Sequence, residues 1–308
     1  MEPKIKNKYD NGVIISLILA LLLIWGGFYF SYPNFFELQE KANQIAAQKV
    51  EEQKEVDRAL AFGRLNLEAK AFAVYDIEKG ELIAGKKEEQ VLPLASITKL
   101  MTVLVASETG TPQKSITIDK TSNDSSGGLR LGEKWSLANL AALTLVGSSN
   151  DGATALAGPN QTEFIDQMNN KALELGLIDL RFINPTGLDE NFQPGGSGSA
   201  LSVAKLFSYV IKNNPKLLSA TREASITEKS LDNFNHTVLN TDEIVNEIPG
   251  LLASKTGLTD LAGGNLAIAA NLGLRRPVAI VVLGSSEQGR FTDTQKLVEA
   301  TLNYYSNK

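Results

Sequence analysis

The chain has 308 residues, 43% of them apolar and 21% charged, which is enough for a real hydrophobic core and excludes wholesale disorder and a polytopic membrane protein. It has no cysteine and one histidine, His236, so disulfide frameworks, thiol chemistry and the common Cys/His zinc sites fall away, and no metal or cofactor is expected. Its formal net charge is −5 and its Lys and Arg residues form no dense block, so nucleic acid is not expected as a partner.

Between Asp10 and Glu37 no residue is charged, and the stretch 12–32 (GVIISLILALLLIWGGFYFSY) is long enough to cross a hydrocarbon core as a helix. Aromatic residues from Trp25 to Phe36 crowd its C-terminal end, as they do at a membrane interface. Lys4, Lys6 and Lys8 precede it and Glu37 and Glu40 follow, which orients a short tail (1–11) to the cytoplasm and the rest outward. The exit lacks a small-x-small cleavage site, so the expectation is an uncleaved anchor in the cell membrane, single-pass, with an extracytoplasmic domain. Residues 33–62, rich in Glu, Gln, Lys and Ala, predict a polar helical stalk, and a globular domain follows over 63–308.

Within that domain, AFAVYDI (71–77) and ELIAG flank Glu78-Lys79-Gly80 and predict a β-hairpin. After Pro93 the run ASITKLMTVLVAS predicts a helix with Ser96 near its N-terminus. Helical spacing or caps recur over 136–146, 150–157, 162–176 and 201–213. GGNLAIAANLG and RRPVAIVVLGS are β-rich, and a helix over about 292–305 closes the chain. The order predicts an α+β domain, an antiparallel sheet packed between helices, preceded by one transmembrane helix.

Ser96-Ile97-Thr98-Lys99 has the form S-x-x-K, a spacing that puts a hydroxyl and an amine on one helical face. A serine nucleophile needs a base, and a lysine can serve only if burial or a second cation lowers its pKa. Alone the motif is weak, since about one chance match is expected at this length. Ser202-Val203-Ala204-Lys205 is such a match, and there a serine, Ser199 or Ser202, caps the following helix. What distinguishes Ser96 is company: Ser148-Ser149-Asn150 (S-x-N) and Lys255-Thr256-Gly257 (K-T-G) follow in chain order. Nucleophile, base, proton carrier and a cationic, hydroxyl-bearing strand are what acyl transfer from a peptide ending in a carboxylate requires.

These motifs, in this order, resemble the penicillin-recognising serine enzymes. Their surroundings, including PLASITKLMT (93–102), LRLGEKWSLANLAALTLVGSSNDGATALA (129–157), FIDQMNNKALELGLIDLRFINPTGLD (164–189) and SKTGLTDLAGGNLA (254–267), resemble the D-alanyl-D-alanine carboxypeptidases, which are low-molecular-mass penicillin-binding proteins. The resemblance implies a β-lactamase/transpeptidase-like fold and removal of the terminal D-alanine from peptidoglycan stem peptides, with β-lactams as covalent inhibitors. It implies that Ser96 is acylated, Lys99 is its base, Ser148 shuttles the proton and Asn150 holds the substrate amide. Lys255 and Thr256, with Gly257, would bind the substrate carboxylate, and the N–H groups of Ser96 and Leu258 would form the oxyanion hole. Arg290 would lie near that carboxylate. The chain departs from the family pattern at Ala253, where glycine is frequent, and at Leu258, where His or Tyr is common.

A β-lactamase, an endopeptidase of the same fold and a non-catalytic wall-binding protein are the alternatives. No E-x-x-x-N loop lies between Asn150 and Lys255, which disfavours a class A β-lactamase. His236 has no G-x-S-x-G elbow to serve and reads as a hydrogen-bonded strand residue.

Overall fold

The computed structural model describes residues 11–31, 35–122, 128–273 and 276–306, the side chains at 11, 28–31, 35 and 36 excepted. The chain divides into two compact units, Met1–Val56 and Asp57–Lys308. The first contains helix α1 (Asn11–Ser31) and most of helix α2 (Phe35–Phe62).

Among the described residues no helix is long and apolar enough to cross a membrane, so the single-pass anchor, the cell-membrane location and the membrane as a partner are corrected. Lys4, Lys6, Lys8 and Tyr32 lie outside the described residues.

The second unit is α+β. Its elements begin with strands β1 (Ala71–Asp76), β2 (Glu81–Lys86) and β3 (Leu92–Pro93), a 3-10 turn (Ala95–Thr98) and helix α3 (Lys99–Thr109). Strands β4 (Ser115–Thr117) and β5 (Lys134–Ser136) lead into helices α4 (Leu137–Val146), α5 (Asn150–Ala157) and α6 (Gln161–Glu174). Strands β6 (Arg181–Phe182) and β7 (Gly196–Gly198) precede α7 (Ala200–Asn213) and the short α8 (Pro215–Leu218). A hairpin, β8 (Ser225–Lys229) and β9 (Asn235–Leu239), then strands β10 (Leu251–Thr259), β11 (Gly263–Asn271) and β12 (Pro277–Ser285), and helix α9 (Gly289–Ser306) complete the unit.

Five strands form an antiparallel sheet in the order β10-β11-β12-β1-β2, so the first hairpin and the last three strands meet through β1 and β12. Side chains alternate across it, as the pleat requires. One face presents small groups, Ala71, Ala73, Ala267, Ala269 and Ala279, to the core shared with the helical block. Alanines there let α7 pack on β1, β11 and β12 through Ala200, Val203, Ala204 and Phe207. The opposite face presents Val74, Ile268, Val278, Ile280 and Val282, and α9 covers it with Phe291, Leu297, Val298 and Tyr304. The buried Asp293 of α9 accepts the N–H groups of Glu68 (3.1 Å) and Ala69 (2.8 Å) and the Ser285 hydroxyl (2.8 Å), tying the helix to the entry of β1 and the end of β12. The helical caps follow the sequence: Ser136, Ser149 and Ser199 accept from Asn139, Gly152 and Ser202 N–H groups. Strand β10 is an outer strand of this sheet, and the chemistry-bearing tripeptide lies on it.

Candidate active site

Ser96 sits in a 3-10 turn rather than the first turn of an α-helix, with α3 beginning at Lys99. Three residues per turn eclipse positions i and i+3. The Lys99 amine accordingly lies 2.8 Å from Ser96 Oγ. Lys99 is fully buried and also donates to Asn150 Oδ1 (2.8 Å) and to the Thr186 carbonyl (2.7 Å). Burial, and then the charge of Lys255, hold its pKa well below the ordinary lysine value.

Ser148 follows α4 with a left-handed backbone (φ 57°), and its hydroxyl accepts from Lys255 Nζ at 3.0 Å. Lys255, buried on β10, donates as well to the Thr256 carbonyl at 2.9 Å. Burial and the charge of Arg290 bring its pKa down to about 7, against an opposing pull from Asp242. Arg290, at the start of α9, donates through Nη1 to the Gly257 carbonyl (3.1 Å), while its buried Nε has no hydrogen-bond partner. Gly257 is needed for close approach: a Cβ there would stand 2.7 Å from the Leu94 carbonyl oxygen and 3.2 Å from Ala95 Cβ. Leu258, next on the strand, is exposed.

The fold thus brings Ser96, Lys99 and Asn150 into one hydrogen-bonded group and Ser148, Lys255 and Thr256 into a second. Arg290 joins the back of the K-T-G strand. Ser202 is elsewhere occupied: its N–H is capped by Ser199, its hydroxyl bonds to the Asp179 carboxylate, and Lys205 is exposed. His236 on β9 is buried, 2.8 Å from a carboxylate oxygen of Glu133, with the Trp135 ring centroid 5.0 Å away.

Sequence reasoning missed two groups beside the site. Thr241 places its hydroxyl 2.5 Å from that of Thr256, and the buried Asp242 carboxyl, its pKa raised by burial, feels Lys255 and Arg290. Neither belongs to a motif of fixed spacing. The second group is the 184–188 turn (Asn-Pro-Thr-Gly-Leu), legible as a turn from Asn-Pro and Gly but not as a neighbour of Lys99.

A serine–lysine pair at the foot of a buried helix, facing an outer strand of an antiparallel sheet, has the geometry of a serine acyl-transfer enzyme, and the α+β fold is the penicillin-binding, transpeptidase-like one. The family model for D-alanyl-D-alanine carboxypeptidase matches residues 55–287, and the chain belongs to that family. It is similar to D-alanyl-D-alanine carboxypeptidase DacD of Escherichia coli, 31% identical over 249 residues that make up 75% of this chain and 62% of the relative. It is also similar to a D-alanyl-D-alanine endopeptidase of Pseudomonas aeruginosa, 30% identical over 73% of this chain and 74% of the relative. Among solved structures, penicillin-binding protein D2 of Listeria monocytogenes in its cefotaxime-bound form superposes with a TM-score of 0.68 at 28% identity, covering 77% of this chain and 98% of that one. The chain spans 62% and 63% of the length of two curated carboxypeptidase relatives.

Proposed function

We propose that the protein is a serine-type D-alanyl-D-alanine carboxypeptidase that removes the terminal D-alanine of peptidoglycan stem peptides through an acyl-enzyme on Ser96. The observation that carries this is the fully buried Lys99 amine 2.8 Å from Ser96 Oγ, with its pKa lowered so that the neutral form is accessible. Lys99 takes the Ser96 proton as Oγ bonds to the penultimate carbonyl carbon. The peptide C–N bond breaks, the departing amine receives a proton through Ser148, and water releases the acyl group. Asn150 holds the substrate amide. Lys255, Thr256 and Gly257 receive the terminal carboxylate with Arg290 behind them, and the N–H groups of Ser96 and Leu258 receive the oxyanion. β-Lactams acylate the same serine; the cefotaxime-bound state of the Listeria neighbour supports that class of inhibitor.

The catalytic domain is assigned to 63–308 behind a helical spacer at 33–62; the family match begins at residue 55 and the second compact unit at Asp57, a few residues before that boundary. The test is incubation of residues 1–308 with a pentapeptide ending in D-Ala-D-Ala and assay of free D-alanine, with Ser96→Ala as control. Release that persists in Ser96→Ala, or a penicillin adduct on a Ser202 peptide, would overturn the assignment. The Pseudomonas relative supports endopeptidase action as the second reading.

A further inference from the structure

The sequence 184–188 carries no role in the chemistry above, yet its turn hydrogen-bonds Lys99 and lies against Ala95, the residue before Ser96. Asn184 is buried, and its side-chain oxygen accepts three hydrogen bonds, from Thr186 N–H (3.2 Å), Thr186 Oγ1 (3.0 Å) and Gly187 N–H (2.8 Å). Its amide nitrogen donates to the Leu188 carbonyl (2.9 Å) and to Glu190 Oε1 (3.0 Å). One side chain therefore closes the whole turn. The turn does two things. It aims the Thr186 carbonyl at Lys99 Nζ, 2.7 Å away. It also seats Gly187 (φ +80°) where a Cβ would stand 1.9 Å from the carbonyl oxygen of Ala95, the residue before the nucleophile.

Donor counting gives this contact a chemical meaning. A lysine amine in its neutral form has two N–H donors and one lone pair, and as an ammonium it has three donors. Lys99 Nζ has three neighbours: Asn150 Oδ1, Thr186 O and Ser96 Oγ. Two of them, the Asn150 amide oxygen and the Thr186 carbonyl, can only accept. They take both N–H groups of the neutral amine, and the lone pair is left for the Ser96 hydroxyl proton. Without the Thr186 carbonyl, one N–H is free to turn toward Ser96 and the lone pair away from it.

We infer that Asn184 is a positioning residue for the acylation step: it folds the 186–188 turn so that the Thr186 carbonyl orients the neutral Lys99 amine with its lone pair on Ser96. This rests on the serine–lysine assignment but not on the identity of the natural substrate. The charged or polar groups that face Lys99 are Lys255, Ser96, Asn150 and the Thr186 carbonyl.

The test measures the rate of Ser96 acylation by a fluorescent penicillin between pH 5 and 9, with Lys99→Ala as control and D-alanine release assayed separately. Native acylation without D-alanine release would count against the carboxypeptidase function alone. Normal acylation of Lys99→Ala would remove the pair itself. Asn184→Ala is expected to lower the pH-independent acylation rate about 10- to 100-fold, below the full worth of a general base of roughly 10² to 10⁴ because Lys99 remains. Loss of an acceptor that favours the ammonium also lowers the Lys99 pKa, so the acid limb should move to lower pH. Asn184→Asp, combined with Glu190→Gln to avoid repulsion there, keeps the oxygen that accepts from Thr186 and Gly187 but loses the donor to the Leu188 carbonyl, and should recover part of the rate lost in Asn184→Ala. A merely structural role would lower melting temperature and active fraction while leaving the rate per active site and the acid limb unmoved, and that result would overturn the inference. If the alanine chain does not fold, Asn184→Ser decides: an intermediate rate with the same displacement supports the inference, and native kinetics sinks it.

Discussion

At the scale of single residues, two lysines of ordinary chemistry are placed so that each wants a different charge. In the proposed reaction Lys99 is neutral to accept the serine proton, and burial and the neighbouring Lys255 both favour that form. In the same proposal Lys255 is an ammonium that receives a carboxylate, and its pKa stands at about 7. The signs follow directly. As pH falls, Lys99 takes up a proton and the base is lost; as pH rises through about 7, Lys255 loses its proton and anion binding weakens. The pH profile of kcat/KM for a free-acid peptide should therefore be bell-shaped, and its alkaline limb should track Lys255. In Lys255→Arg, whose charge persists at higher pH, the alkaline limb should disappear even if the plateau is lower. A limb unchanged in that variant would show that another group sets it. Lys99→Ala should lose at least about 10² in acylation rate with the fold retained, since general-base terms are worth roughly 10² to 10⁴. Circular dichroism and acylation kinetics on the same sample check both halves.

At the scale of elements, the strand β10 approaches the nucleophile turn closely enough that side-chain volume decides the geometry. Gly257→Ala would put a methyl 2.7 Å from the Leu94 carbonyl oxygen, so β10 must shift away from Ser96. We expect a stability loss of about 1–3 kcal/mol, typical of overpacking, but a fall in acylation of about 100-fold, because displacements near 1 Å cost that much at a reacting centre. Thermal melting and acylation kinetics separate the two; equal, small changes in both would mean that the strand does not need its present position. The same strand shows how far the sequence was legible. β11 and β12 announced themselves as runs of Ala, Ile, Leu and Val, and β1 and β2 by the turn at Lys79-Gly80. β10 reads LLASKTGLT, whose Ala, Lys and Gly carry little β-propensity, so its pairing with β11 supplies the order that propensity does not. The hairpin β8–β9 was legible only at His236, read as a strand residue: β8 alternates exposed with partly buried residues, and β9 alternates exposed with buried ones. For the site, fixed spacings within one turn or one strand were readable, as for Ser96 with Lys99. Thr241, Asp242 and Thr186 come from segments of irregular backbone, whose proximity to Thr256, Lys255 and Lys99 exists only after folding. The apolar stretch near the N-terminus was readable as a helix, α1, but among the described residues no helix is long and apolar enough to cross a membrane.

At the scale of the whole molecule, the two hydrogen-bonded groups around Ser96 and Ser148 lie where a helical block meets the edge of the sheet, and each half contributes one lysine. Lys255 and Arg290 are buried there with Asp242, whose pKa is raised by its own burial, and the carboxylates of Glu287 and Glu243 also act on Arg290. The two cations oppose each other in a poorly hydrated place, so a bound anion relieves repulsion as well as gaining hydrogen bonds. In the proposed function a peptide ending in a free carboxylate supplies that anion, and its C-terminal residue is then fixed by the same contacts that depend on Lys255. Replacing the carboxylate by an amide leaves buried cations and donors unpaired, a penalty of several kcal/mol and hence orders of magnitude in kcat/KM. The measurement compares free-acid pentapeptide, its C-terminal amide and a cross-linked dimer at equal concentration. We expect the free acid to be fastest and the amide to fall by about 10²-fold or more, with the difference shrinking as pH rises and Lys255 loses its charge. Equal turnover of the amide would remove carboxylate recognition by the Lys255 cluster. If the cross-linked dimer is cleaved faster than the pentapeptide, the function moves to the endopeptidase side of the family, where the Pseudomonas relative carries its name.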